Sequence, residues 1–270
     1  KMQKIFTFLK TLISHQKKFK YLLSRIILRL GIGKFFKMQR NGYTIRLSEN
    51  NIASEMFIQG KKFYRAEEEF IISLLKDTST FIDIGANIGN LSLAASTTIT
   101  HGEIFAFEAQ PKTFNSLQQN LADNAKNIHS YNLAVSNEPG ELHMTDFAAD
   151  DCNGVANTKT NNTISVKAET IDSVLKDKNT FIDLLKIDVE GYELMVLQGA
   201  IETLSRTKYV YFELWDELTD RFGYSGFEII DFLSARGFEV FHLDNFVLGS
   251  AVTEKKFPQI GELLAVSKKN

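Results

Sequence analysis

Between residues 80 and 243 the apolar positions fall into short continuous runs separated by stretches of helical spacing. The runs are Phe81-Ile82-Asp83-Ile84, Glu103-Ile104-Phe105-Ala106-Phe107-Glu108, Ile128 to Val135, Phe181 to Val189 and Tyr209-Val210-Tyr211-Phe212-Glu213-Leu214. Between them, Leu91, Leu93, Ala94 and Ala95 carry one helix face, and Pro111 opens a helix reaching about Ala125. Continuous apolar strands alternating with helices predict a doubly wound, mostly parallel α/β sheet. Further strands are expected at Glu141 to Met144, after the Glu138-Pro139-Gly140 turn, and at Ile164 to Lys167, Phe238 to Leu243 and Ile260 to Ser267. Thr170 caps a short helix over Ile171 to Leu175, and a helix over Phe227 to Ala235 stops at Gly237. Asp146 to Thr163 is polar and reads as a long loop, a candidate lid.

Upstream the pattern changes. Phe19, Leu22, Leu23, Ile26, Ile27 and Leu30 recur on one helical stripe, and Ile5, Leu9, Leu12 and Ile13 form a shorter one before it. Residues 41 to 65 read as a small β element, with Gly42 to Leu47 alternating as a half-buried strand, and Glu67 to Leu75 as a helix. The division expected is a basic helical extension over 1–40 and one domain over 41–270, without internal repeat or linker. Basic residues interrupt the apolar blocks, so neither a membrane-spanning helix nor a secretory signal is expected.

Charge sharpens this division. Residues 1 to 40 hold eleven Lys and Arg and no acid; the rest holds 20 basic and all 33 acidic residues. The basic helical arm has two readings: a contact with an anionic membrane surface, or packing on the domain or in a dimer. The acidic body argues against a nucleic-acid partner. One cysteine, Cys152, excludes an internal disulfide and suggests a reducing, cytoplasmic setting, with any membrane contact peripheral at the inner face.

The chemistry gathers at Phe81-Ile82-Asp83-Ile84-Gly85-Ala86-Asn87-Ile88-Gly89-Asn90, a strand, a glycine turn and a helix start. Such a turn holds a nucleotide cofactor, because amide N–H groups and a helix dipole meet there. A dinucleotide needs G-x-G-x-x-G; here the spacing is Gly85-x-x-x-Gly89, and Asp83 precedes it. A carboxylate repels phosphate but not the ammonium and sulfonium of S-adenosylmethionine. Glu108, ending the second strand, stands where such folds place a carboxylate on ribose hydroxyls.

These motifs, together with Phe105-Ala106-Phe107-Glu108-Ala109-Gln110-Pro111 and Leu185-Lys186-Ile187-Asp188-Val189-Glu190-Gly191-Tyr192-Glu193, resemble the FkbM family of methyltransferases over about residues 42 to 243. The resemblance implies a class I, Rossmann-like methyltransferase fold: a seven-stranded sheet with one antiparallel strand. It implies O-methylation of a sugar in a glycan or glycolipid precursor, or of a small secondary metabolite. Tyr64 and Glu67 resemble the family's Tyr-x-x-Glu region, which closes over the methionine end of the cofactor. The candidate cofactor-binding set is Tyr64, Glu67, Asp83, Gly85, Ala86, Asn87, Gly89, Asn90, Glu108, Ala134, Ser136 and Asp188. Ala109-Gln110 and Trp215 depart from the family's pattern, at the adenine side and the acceptor side.

Methyl transfer to a hydroxyl requires alignment and a group that takes the proton. Asp188, Glu190 and Glu213 end adjacent strands and are the candidate catalytic residues; three carboxylates together could also hold Mg²⁺. No residue is assigned as a resident metal ligand. Alternatively, Asp188 caps the following helix, and Glu190 and Glu193 are its first-turn acids. Trp215, Asp216, Tyr224 and Phe227 are a candidate sugar-stacking surface, and His242 a weaker candidate base. A nucleic-acid methyltransferase and a non-catalytic cofactor-binding subunit are the rival readings.

Overall fold

The computed structural model describes residues 17–124, 127–147, 153–253 and 260–269. The stripe from Ile5 to Ile13 and Cys152 lie outside them. Eight strands form the main sheet, in the order β12-β11-β13-β10-β9-β3-β4-β5. They are β3 (Thr80–Ile84), β4 (Glu103–Phe107), β5 (Ile128–Tyr131), β9 (Ile182–Ile187), β10 (Thr207–Trp215), β11 (Phe238–Asp244), β12 (Val247–Ala251) and β13 (Ile260–Ser267). β5, β4, β3, β9 and β10 run parallel, and β13 runs against β10 and β11. Seven strands thus have the expected class I arrangement, with β13 the reversed one. β12 adds an eighth at the edge, returning from β11 through Asn245 and Phe246, both with positive φ.

The sheet faces differ. Ile82, Ile84, Leu185, Ile187, Val210 and Phe212 pack into the larger core on one face, while Phe81, Leu184, Tyr211 and Leu264 face a second core. Alternation along each strand sends odd and even positions to opposite layers. That second layer is covered by α3 (Arg65–Ser73) and α4 (Asn90–Ser96).

Three elements differ from expectation. The third strand splits: Ile128 to Tyr131 stays in the main sheet. β6 (Ala134–Val135) leaves it to join β8 (Thr163–Glu169) and β7 (Gly140–Thr145) in a separate three-stranded sheet. Asn132 marks the departure, its Nδ2 donating to the carbonyls of Glu108 and Ala109. The expected β element over 41–65 is a hairpin, β1 (Lys37–Gln39) with β2 (Thr44–Arg46), followed by a helix, α2 (Asn51–Gln59). Asn50 caps that helix by accepting from the Ala53 N–H at 3.2 Å. α1 (Lys18–Arg29) packs on α2 through Tyr21, Ser24 and Ile27, so most of its expected stripe faces outward. Phe19 is 77% exposed and Leu30 64%. The neighbouring helix, unread in the sequence, chose the buried face.

The strand register places charge at the sheet's centre. Asp83 pairs with Lys186 across β3 and β9, and Lys186 with Tyr211 across β9 and β10. Two residues further on, Glu213 pairs with Glu262 across β10 and β13, and Asp188 lies just past the end of β9. Lys186 Nζ donates to the Gly85 carbonyl at 2.8 Å and lies 3.3 Å from both Asp83 Oδ1 and Asp188 Oδ2. Asp83 is fully buried; its Oδ2 accepts from Ser92 Oγ at 2.5 Å, while Oδ1 is held by the lysine's charge. Gly85 lets the strands converge here: a Cβ would stand 1.9 Å from the Asp188 carbonyl oxygen, and its φ is +77°.

Removing one member of a buried ion pair strands the other. Lys186→Met should therefore destabilise the chain by about 3–5 kcal/mol, read in denaturant melts. A loss below about 1 kcal/mol would mean that Asp83 does not depend on the lysine.

Candidate active site

A cleft of about 320 Å³ opens at the carboxyl ends of β3, β4, β9 and β10. Open α/β sheets bind ligands at this edge, where the strand order reverses. Its lining includes Tyr64, Glu67, Asp83, Gly85, Ala86, Asn87, Asn90, Glu108, Ala134, Asp188, Glu190 and Glu213. Two sequence candidates stand outside the lining. Gly89 faces helix α5 (Pro111–Asn124), where a Cβ would meet Leu117 Cδ1 at 2.5 Å. Ser136 lies beneath the floor, its Oγ 3.1 Å from the Tyr192 hydroxyl.

The turn itself has no amide to spare. Gly85 N and Ala86 N donate to the Phe107 carbonyl at 3.0 and 2.9 Å. Asn87 N donates to Glu108 Oε2 at 2.9 Å, Ile88 N to Asn87 Oδ1 at 2.8 Å, and Gly89 N to the Ala86 carbonyl at 2.8 Å. Between Gly85 and Gly89 a pyrophosphate would therefore find no free N–H donor, only those of the helix start beyond. A ligand that meets the turn by charge and shape, without anionic oxygens, fits it. Asp83 does not meet a ligand as a bare charge, because Lys186 already pairs with it.

Glu108 is oriented for hydroxyls. Each oxygen accepts one backbone N–H, from Asn87 at 2.9 Å and Gln110 at 2.8 Å. One further acceptor position per oxygen remains for a vicinal diol. Burial pushes its carboxyl up to about 7, against those two hydrogen bonds.

Carboxylates crowd the other end. Burial, then Asp188, Glu213 and Glu193, push Glu190 up to about 8; burial and Asp188 also raise Glu213. Lys186 is the cation at the centre: burial opposes its charge, but Asp188, Asp83 and Glu67 outweigh it and raise its pKa. Every carboxylate here gains from a positively charged ligand, which fits the ammonium and sulfonium of S-adenosylmethionine. Among the described residues no group of three or more His, Cys, Asp or Glu is placed to hold a metal ion.

The alternative roles separate cleanly. Glu193 is the helix-start acid: its Oε1 accepts from Gly191 N at 3.1 Å and Val189 N at 3.3 Å. Asp188 caps nothing and faces Lys186. Glu190 does not continue the strand; its φ is +56°, and it lines the cleft from a turn. Among the described residues five non-glycine residues have positive φ, and three of them, Tyr64, Asn87 and Glu190, line this cleft. The expected stacking surface is not assembled. Tyr224 is buried and donates to the Gly191 carbonyl at 2.6 Å, Phe227 packs on the core, and only Trp215 is exposed. His242 lies on β11, away from the cleft lining. From the expected lid, Asn153, Gly154 and Val155 line the cleft, and Val155 bridges to Met144.

Lys186, Tyr211 and Glu262 line the cleft but were not among the sequence candidates. Lys186 had a local signal, since it precedes Asp188 by two positions and so shares its strand face. Tyr211 likewise precedes Glu213. Glu262 had none; only its pairing with Glu213 brings it here.

The family model described as the methyltransferase FkbM domain matches residues 83–240. The chain is 26% identical over 180 residues to the hexuronic acid methyltransferase AglP of Haloferax volcanii, covering 64% of this chain and 72% of that protein. It is 26% identical over 166 residues to the 2-O-methyltransferase NoeI of Sinorhizobium fredii, covering 54% and 68%. Among solved structures, an FkbM methyltransferase from Methylobacillus flagellatus is similar at TM-score 0.47 and 16% identity, covering 80% of this chain and 52% of that one. The chain belongs to the FkbM family of S-adenosylmethionine-dependent methyltransferases.

Proposed function

We propose that the protein methylates a hydroxyl of a sugar in a glycan or glycolipid precursor. The observation that carries this reading is the carboxylate group of Asp188, Glu190 and Glu213 at the cleft's open end, beside a turn whose amides are all engaged. Carboxylates accept from sugar hydroxyls and attract a cation, so one surface serves donor and acceptor. Relatives named for hexuronic acid and 2-O methylation support the sugar as acceptor class.

When bound, S-adenosylmethionine supplies an electrophilic methyl on a sulfonium that leaves as a neutral thioether. The protein's share is position and proton. Glu108 holds the ribose diol. Tyr64 and Glu67, at the start of α3, close the cleft over the methionine end. Ala86, Asn87, Asn90 and Ala134 shape the walls. Asp188, fixed by Lys186, orients the acceptor hydroxyl, and Glu190 and Glu213 complete its hydrogen bonds.

We extend the proposal to α1. Its outward Phe19, Leu22, Ile26 and Leu30, with Phe35 beyond, are exposed beside Lys18, Lys20, Arg25 and Arg29, and no acid precedes Glu49. An apolar stripe flanked only by cations suits an anionic lipid surface. A lipid-carried acceptor would be presented there. Among the described residues no helix is long and apolar enough to cross a membrane.

Three sets of measurements test these readings. In calorimetry with S-adenosylmethionine, Glu108→Ala should weaken binding roughly 10- to 100-fold, while Glu213→Gln should weaken it much less and lower turnover more. The product methyl, followed by mass spectrometry on uronic-acid and hexose glycolipids, should survive mild alkali; an alkali-labile ester would overturn the hydroxyl reading.

The second concerns pH. Glu67, Glu108 and Glu193 are raised to about 7 and Glu190 and Glu262 to about 8, from 4.5, burial being the largest cause in each. The folded state therefore holds these protons more tightly; the stability so gained is complete below 4.5 and is lost as pH rises from there to about 8. Ligand-free melting temperature should fall across that window, and S-adenosylmethionine should restore most at its upper end. A flat profile would remove the claim. Third, Phe19→Glu with Leu30→Glu should release the protein from phosphatidylglycerol vesicles without changing cofactor affinity; unchanged vesicle binding would remove the lipid contact.

A further inference from the structure

Two carboxyl groups meet on one phenol in the floor of the cleft. The Tyr211 hydroxyl lies 2.5 Å from Glu262 Oε2 and 3.0 Å from Glu67 Oε1. A phenol has a single proton to donate. It satisfies one carboxylate, and the second contact becomes a hydrogen bond only when that carboxyl carries a proton and donates it to the phenol oxygen. Two bare carboxylates on one phenol would leave one lone pair facing another. The geometry therefore requires one proton beyond the phenol's own.

The surroundings hold that proton in place. Tyr211 is 2% exposed and Glu67 8%. The charged and titratable groups facing the triad are Tyr64 at the start of α3, Asp83 on β3, Lys186 on β9 with Asp188 just past its end, and Glu213 on β10. Lys186 is the cation in that group, and it is already shared by Asp83 and Asp188. Glu213 stands directly opposite Glu262 in the antiparallel pair, a placement that disfavours two like charges. Burial pushes Glu262 up to about 8 and Glu67 up to about 7.

We propose that Glu67, Tyr211 and Glu262 act as one proton-holding unit, which releases its extra proton when a cation enters the cleft and takes up the acceptor's proton when that positive charge is lost. This rests on the methyl-transfer reading. The balance is complete. The acceptor oxygen bonds the methyl carbon, the carbon–sulfur bond breaks with its electron pair left on sulfur, and the hydroxyl proton passes to the triad. The cleft loses one positive charge as it gains one proton, so its net charge is unchanged. The same electrostatics that admits a sulfonium makes the triad a stronger proton acceptor at the moment a proton is produced.

The test needs no acceptor. Calorimetry of the full chain near pH 7, in two buffers of different ionisation enthalpy, counts protons released on binding S-adenosylmethionine and, separately, S-adenosylhomocysteine, its uncharged product. The sulfonium should release about one proton more than the thioether. Glu262→Gln and Tyr211→Phe should abolish that difference while changing thioether affinity less than about twofold. Equal release by the two ligands in the unaltered protein overturns the proposal, as does an undiminished difference in Glu262→Gln. Infrared spectra of the unaltered protein give a second readout. A protonated-carboxyl stretch should be present without ligand, vanish with the sulfonium and persist with the thioether; its absence from the ligand-free protein also overturns the proposal. If neither ligand binds, the methyl-transfer reading falls and the triad with it. If both bind alike, only the triad falls.

Discussion

A single buried ammonium group, Lys186 Nζ, holds the centre of this molecule together. It joins the Asp83 carboxylate, the Asp188 carboxylate and the Gly85 carbonyl, which belong to two neighbouring strands and the turn between sheet and helix. Without it, Asp83 would be a fully buried charge with only Ser92 as partner. With it, β3 and β9 have a fixed register at their carboxyl ends, and the cleft has a rigid floor. A buried ion pair is weak evidence for stability but a strong constraint on arrangement. Here the arrangement it constrains is the one that carries Asp188 to the cleft.

Around that cation the balance runs the other way. Glu67, Glu190, Glu213 and Glu262 converge on a site with one lysine, already occupied. Their proton affinities are raised first by burial and then by one another, with a single lysine to offset them. A second ion pair, Arg40 with Glu68, lies behind them: Arg40 also donates to the Gly60 carbonyl, and the Tyr43 hydroxyl lies 2.8 Å from Glu68. This network ties the N-terminal hairpin to α3, the helix that delivers Tyr64 and Glu67. The segment before the glycine turn is thus structurally coupled to the cleft, though residues 1–40 read in sequence as a separate basic arm.

Much of this was readable in the chain because the main strands are continuous apolar runs and both motifs sit at strand ends. Asp83, Glu108, Asp188 and Glu213 could be found by asking which acids terminate such runs. What escaped depends on distance in sequence. Helix α2 is nine residues long and follows a strand-like stretch, so its cap at Asn50 was the one local sign. The buried face of α1 was set by that unseen partner. Glu262 enters only because β13 is inserted antiparallel beside β10, a pairing no local pattern announces. The stacking surface failed for the opposite reason: Tyr224 and Phe227 are aromatic, but their neighbours claim them for the core.

Tyr64, Asn87 and Glu190 hold left-handed backbone, which favours glycine. Each belongs to a different segment: the entry to α3, the turn after β3, and the turn after β9. In each case a functional side chain occupies a place where the bare backbone would be more comfortable. Random drift toward glycine at any of the three would relax the chain while emptying a wall of the cleft. The candidate site of this chain is therefore a place where backbone comfort and the side chains of the cleft pull in opposite directions, and where more robust variants would be expected to have a less complete cleft.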